Sequence, residues 1–187
     1  MEVKAGGGSY NNSTLQNGLT VKAGATCLLS SASAFGLGGG LTNINLLKGA
    51  LGGVNSLNTF GISYHLSGGT ITNLGSLYLG NFTGYPDVSL NSSSSDVTSL
   101  VAPQDGVHIR ATFGQISVPI NVEKGTTPSG VDLQIGTGLQ VDPPYRVSIV
   151  KYGNGTLLLE GASTNSDTMA VNDGALLVNG TIVGGST

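Results

Sequence analysis

Val147-Ser148-Ile149-Val150-Lys151-Tyr152-Gly153-Asn154-Gly155-Thr156-Leu157-Leu158-Leu159-Glu160-Gly161-Ala162 is the stretch on which the fold turns. Its second half, Gly155 to Gly161, is a short alternating run entered and left through glycine. The run returns with the same spacing as Gly174-Ala175-Leu176-Leu177-Val178-Asn179-Gly180. Both read as β-strands, because strand side chains alternate between two faces and glycine supplies the tight turns at either end. Alternation places Leu157 and Leu159 inward, with Leu158 and Glu160 outward. In the second run Leu176 and Val178 point inward, while Leu177 and Asn179 point out.

Working outward, the same phrase recurs as Gly69-Thr70-Ile71-Thr72-Asn73 and Gly75-Ser76-Leu77-Tyr78-Leu79-Gly80, with Leu77 and Leu79 inward and Tyr78 outward. Leu19 to Ala25 matches Met169 to Ala175 in spacing. A unit of one or two strands cannot bury its own apolar face, whereas stacked units close a continuous core. The expectation is therefore an all-β chain: a right-handed parallel β-helix, or β-solenoid, spanning 1–187 as a single segment. At roughly 20 residues per coil it would have roughly eight to ten coils. A β-sandwich is the alternative, since sandwiches also use short strands with frequent turns. Leu46 to Val54 could form one helical turn, but Gly49, Gly52 and Gly53 each cost about 1 kcal/mol there, so helix content is expected to be close to nil. The least regular part lies near 90–106, where Ser92 to Ser95 are consecutive serines and Pro103 and Asp105 follow. It reads as a protruding loop or a boundary between sub-blocks. Beyond it, Val107–Phe113, Ile116–Val122 and Val131–Ile135 read as strands, and Pro143-Pro144 as a rigid turn.

The segment from Val147 to Gly180 resembles the autotransporter-associated β-strand repeat. That repeat runs Lys-x-Gly-x-Gly-Thr-Leu-x-Leu-x-Gly, then a polar turn region, then Val-x-x-Gly-x-Leu-x-Val-x-Gly. Lys151, Gly153, Gly155, Thr156, Leu157, Leu159 and Gly161 fill the first phrase; Val171, Gly174, Leu176, Val178 and Gly180 fill the second. The polar stretch Ser163 to Asp167 lacks the Gly-Gly that usually precedes the family's Thr. The resemblance implies a right-handed parallel β-helix in the passenger part of a bacterial protein exported to the cell surface. No segment resembles the family's translocator barrel.

Composition agrees with short strands and many turns. Only 9% of the 187 residues are charged and 31 are Gly, while 39% are hydrophobic, so this is not the signature of disorder. A net charge of −3 and seven scattered Lys and Arg leave no basic patch, which argues against nucleic-acid binding. All seven, Lys151 included, read as solvated surface charges. No apolar run approaches the roughly 18 residues of a membrane span. Glu2 and Lys4 precede a Gly/Ser stretch where a signal peptide would have a continuous apolar core, so no signal peptide is expected after Met1. The chain is then either cytosolic or a piece cut from an exported protein; low charge with Thr, Asn and Gly richness favours the second, at the bacterial cell surface or outside it. Cys27, the single cysteine, reads as a small buried hydrophobe in Ala25–Leu29.

The chemistry that remains is sparse. His65, in Ile62–Leu66, reads as a strand position that faces solvent or makes one structural hydrogen bond. His108, with Asp105 and Arg110 nearby in sequence, reads as part of a polar strand edge. The ten acids are spread thinly, and only Asp132 and Asp142 could face each other as a glycosidase pair would, although turn positions explain both. Gly38-Gly39-Gly40 is a flexible turn, and the Asn-x-Ser/Thr sites at Asn11, Asn12, Asn81, Asn91, Asn154 and Asn179 are no more than composition produces. We therefore assign no catalytic, cofactor-binding or metal-binding residue, and expect no cofactor. The expected role is a structural or adhesive passenger segment without catalysis of its own, with a cell-surface or glycan ligand as its partner. One alternative is a self-assembling subunit of an extracellular filament or matrix. It rests on the run Val178 to Thr187, which ends in mid-pattern as an uncapped solenoid end. The other is a carbohydrate-active β-helix.

Overall fold

The computed structural model describes residues 2–3, 17–30, 35, 41–53, 56–81, 87–111, 117–165 and 168–184. The Gly38–Gly40 turn, Asn11, Asn12, Val54, Thr112, Phe113, Ile116, Ser166, Asp167 and 185–187 lie outside the described residues, as does the side chain of Asn81. Every described element is a β-strand, with no helix among them. The first is β1 (Glu2–Val3), followed by β2 (Asn17–Lys22) and β3 (Thr26–Leu29). Three strands then recur in each pass: β4 (Leu41–Leu47), β5 (Ala50–Gly53) and β6 (Leu57–Phe60), then β7 (Ser63–Ser67), β8 (Thr70–Thr72) and β9 (Ser76–Asn81). The next passes hold β10 (Leu90–Ser92), β11 (Ser99–Ala102) and β12 (Gly106–Ala111), then β13 (Ser117–Val122), β14 (Leu133–Ile135) and β15 (Leu139–Val141). The last elements are β16 (Ser148–Tyr152), β17 (Thr156–Asn165), β18 (Met169–Val171) and β19 (Ala175–Gly184).

These strands pair in parallel as a 12-stranded and a 7-stranded sheet. The smaller sheet is one ladder, β2-β4-β7-β10-β13-β16-β18. The larger is two ladders, β1-β3-β5-β8-β11-β14 and β6-β9-β12-β15, which meet on β17 because that strand is long enough to join both. β19 then pairs with β17 along its whole length. Each strand inside a ladder pairs with its counterpart in the pass before and the pass after, and the end strands β1, β2, β6, β18 and β19 pair on one side among the described residues.

Register follows from the alternation. Cys27, Leu51, Ile71, Val101, Ile135 and Leu159 occupy one column, each the partner of the next, and all are buried. Leu57, Leu77, Val107 and Leu139 form another on the β6-to-β15 ladder. Each such side chain contributes about 1.5–3 kcal/mol by leaving water. Cys27 is 1% exposed, as its apolar neighbourhood suggested, and burial pushes its thiol pKa up. Leu157 and Leu159 are buried with Leu158 and Glu160 half-buried, and Leu77 and Leu79 are buried with Tyr78 outward. In β19 the alternation places Leu176 and Val178 in the columns of Leu157 and Leu159, yet Val178 is 45% exposed. No described strand lies on the far side of β19, so its column is uncovered.

Lys151 corrects the sequence reading. It stands in the column Leu19, Ile44, Tyr64, Leu90, Ile120 and is only 2% exposed, so it is not a solvated surface charge. Its aliphatic stem fills the core position while its ammonium reaches the corner of the pass, as long cationic side chains can. There Nζ donates to the carbonyl oxygens of Gly153 (2.6 Å), Asp173 (2.8 Å) and Tyr152 (3.2 Å). Burial lowers its pKa, and the charges of Asp173 and Asp132 act the other way.

The serine-rich centre carries β10 and β11 in register with both neighbours, so the ladders run through it. What leaves the strands is the short turn 93–98, which rests on the 123–132 turn of the next pass. Thr126 N donates to Ser95 O (2.9 Å), and Thr98 Oγ1 donates to Val131 O (2.8 Å). Corners also bring backbones together: Gly161 has φ 72° and a Cβ there would collide with the carbonyl oxygen of Thr137. Gly130 has the same φ but open space around it. Gly161→Ala should therefore cost about 3 kcal/mol or more and Gly130→Ala about 1–2 kcal/mol. Urea unfolding of the two variants checks this, and equal losses would contradict the close approach.

Candidate functional site

The densest group of polar side chains lies on the outward side of the β6-to-β15 ladder. In-register pairing sets His108 of β12 beside Tyr78 of β9 and Gln140 of β15. Asp142, two residues beyond Gln140, thereby comes level with Arg110. His108 Nδ1 donates to Asp142 Oδ1 (2.6 Å) and Arg110 Nε to Asp142 Oδ2 (2.5 Å). The Arg110 guanidinium also lies over the Tyr78 ring, 3.9 Å from its centre, and the Tyr78 and His108 rings are 4.9 Å apart. The carboxylate thus ties its own pass to that of β12, and the Arg110 and His108 side chains extend the cluster to Tyr78 in a third pass. Burial works to raise the Asp142 pKa, but hydrogen bonds from His108 and Arg110 outweigh it and hold the carboxyl below its usual range.

A histidine oriented through Nδ1 by a carboxylate has the form of a general base. Among the described residues His108 is hydrogen-bonded to Asp142 and to no Ser, Thr or Cys, so no side-chain nucleophile is paired with that imidazole. The cluster is mostly engaged with itself: a cation–π stack, a bridging carboxylate and an imidazole clamp.

A second polar feature occupies the outward side of the β2-to-β18 ladder. Thr20, Asn45, His65, Asn91, Asn121 and Tyr152 form one register column. Asn121 Nδ2 donates to Asn91 Oδ1 (2.6 Å), Asn91 Nδ2 to Ser89 Oγ (2.7 Å), and Ser89 Oγ to Ser63 Oγ (3.1 Å). His65 Nε2 donates to Asn43 Oδ1 (3.1 Å), and burial lowers its pKa, so the ring is neutral near pH 7.

His65 thus sits in the outward column and makes one side-chain hydrogen bond, to Asn43. His108 pairs with Asp142, not with the nearby Asp105. Asp132 and Asp142 do not form a carboxylate pair. Asp132 is a buried turn acid whose two oxygens accept from Gly125 N and Thr156 N, both at 2.8 Å. The link from His108 to Asp142 has no local sequence signal, because it depends on the register between passes. Among the described residues no three His, Cys, Asp or Glu side chains are grouped to hold a metal ion. No helix is long and apolar enough to cross a membrane. Comparison of the chain with protein-family models, curated proteins and solved structures gives no match.

The Asp142 bridge predicts a pH signature. A carboxyl whose folded pKa is depressed stabilises fully above its unfolded value, about 3.9, and loses that contribution as pH falls through the lower folded value. Asp142→Asn should cost about 1–3 kcal/mol at neutral pH, with the gap from the parent closing below about pH 4. Denaturation across a pH series measures it, and a gap that stays constant into acid would contradict the bridge.

Proposed function

We propose that the chain is a segment of right-handed parallel β-helix from the passenger part of an exported, autotransporter-like bacterial surface protein. It acts there as a structural and adhesive rod with no catalysis of its own. The observation that carries this reading is the stacking of inward columns from pass to pass, with eight strands in the β1-to-β19 ladder. The right hand follows the general rule for parallel crossovers. The residues of the Lys151–Gly180 phrase also have uses that suit a repeat: Lys151 ties the corner carbonyls, and Gly161 allows one pass to approach the next. Such a phrase builds architecture and carries no reactive group.

A second reading, self-assembly into a filament or matrix, is favoured by one observation. Leu177, Val178, Ile182 and Val183 of β19 are all exposed, which is an edge suited to a further parallel strand. Glycoside chemistry has less support, since Asp132 serves a turn and Asp142 a clamp. Antibodies raised against the purified chain should label intact cells of the source bacterium as strongly as permeabilised ones. Labelling only after permeabilisation would overturn the surface reading. An apparent mass by light scattering that rises with concentration would favour the filament.

A further inference from the structure

We propose that the outward column Asn45, His65, Asn91, Asn121, Tyr152 is the adhesive track, binding an extended, uncharged β-linked glycan laid along the ladder. This deepens the adhesive reading above and rests on it.

Spacing is the first argument. Neighbouring strands lie about 4.8 Å apart, so the five positions span roughly 19 Å in equal steps. The sugar units of an extended β-1,4-linked glycan advance by nearly the same step, each turned over relative to the last, so successive side chains meet alternating polar edges of successive sugars. A coiled α-linked glycan cannot keep that match.

The second argument is that the polar groups are already oriented. Asn91 spends its amide hydrogens on Ser89 Oγ and on Tyr64 O (3.3 Å), and its carbonyl accepts from Asn121. It is therefore a positioning residue. Asn121 keeps its carbonyl and one amide hydrogen for a ligand, and Asn45 makes no side-chain hydrogen bond among the described residues. Asn91 and Asn121, held to each other, have little side-chain freedom left to lose on binding.

The third is charge. The column holds neither acid nor fixed cation, and His65 is neutral. The β6-to-β15 face carries the His108–Arg110–Asp142 cluster, and the β5-to-β17 face carries Leu100, Leu158 and Glu160, so those faces differ in kind. Tyr152, 38% exposed, ends the column with an aromatic ring on which the apolar face of a pyranose can stack.

Affinity electrophoresis of the full chain through gels containing soluble neutral β-1,4-glucan, α-1,4-glucan or an anionic β-linked glycan tests this. Retardation by the neutral β-glucan alone is expected. Tyr152→Ala and Asn121→Ala should each weaken it by about tenfold, with the unfolding midpoint unchanged for Tyr152→Ala and only slightly lowered for Asn121→Ala by the lost bond to Asn91. No retardation by the β-glucan, equal retardation by all three gels, or retardation that both variants retain would overturn the proposal. Surface labelling of cells with no glycan retardation defeats this inference alone, whereas absence of surface labelling defeats the reading beneath it.

Discussion

In-register parallel pairing sets Cys27, Leu51, Ile71, Val101, Ile135 and Leu159 in one column, and the rest of the structure depends on that register. Because side chains alternate, a slip of one residue in any strand would turn its apolar set to water and its polar set into the core. Each pass is thereby held by the passes on either side. The corners must comply, which is why Gly161 lies against the Thr137 backbone and why Asp132 accepts amides from two different segments. Lys151 answers the same demand, with its stem in the core and its charge on the corner carbonyls.

The same register makes the three outward faces chemically distinct. Groups far apart in sequence become neighbours when they share a column, so His108 and Arg110 reach Asp142 and the Asn91 amide reaches Asn121. One face gathers charge into a closed clamp, one holds amides and hydroxyls, and one mixes leucines with Gln134 and Glu160. A repetitive core thus supports non-repetitive surfaces, and any specificity of the chain must come from the surfaces.

Alternation was legible in the sequence wherever glycine marked both ends of a strand. Leu77, Leu79, Leu157 and Leu159 took their expected faces, and Cys27 its expected burial. Lys151 was not legible, because a residue type that favours water says nothing of a long stem aligned with an apolar column. The His108–Asp142 contact was not legible for a different reason. Passes along the smaller sheet differ in length from 20 to 31 residues, so spacing alone cannot say which residues share a level. In the serine-rich stretch the turn 93–98 leaves the strands, while Leu90–Ser92 and Ser99–Ala102 on either side keep the ladders' register, which composition alone does not reveal.

The central claim is that the ladders stack in register along one axis, and pairwise spin-label distances test it most directly. Thr26, Ala50, Thr70, Leu100, Gln134, Leu158 and Leu177 form one outward column of six steps. Labels at Thr26 and Leu177 should lie roughly 29 Å apart, and moving the second label back to Leu158 and then Gln134 should shorten the distance by roughly 4.8 Å each time. Distances that fail to fall in equal steps would contradict the stacked register.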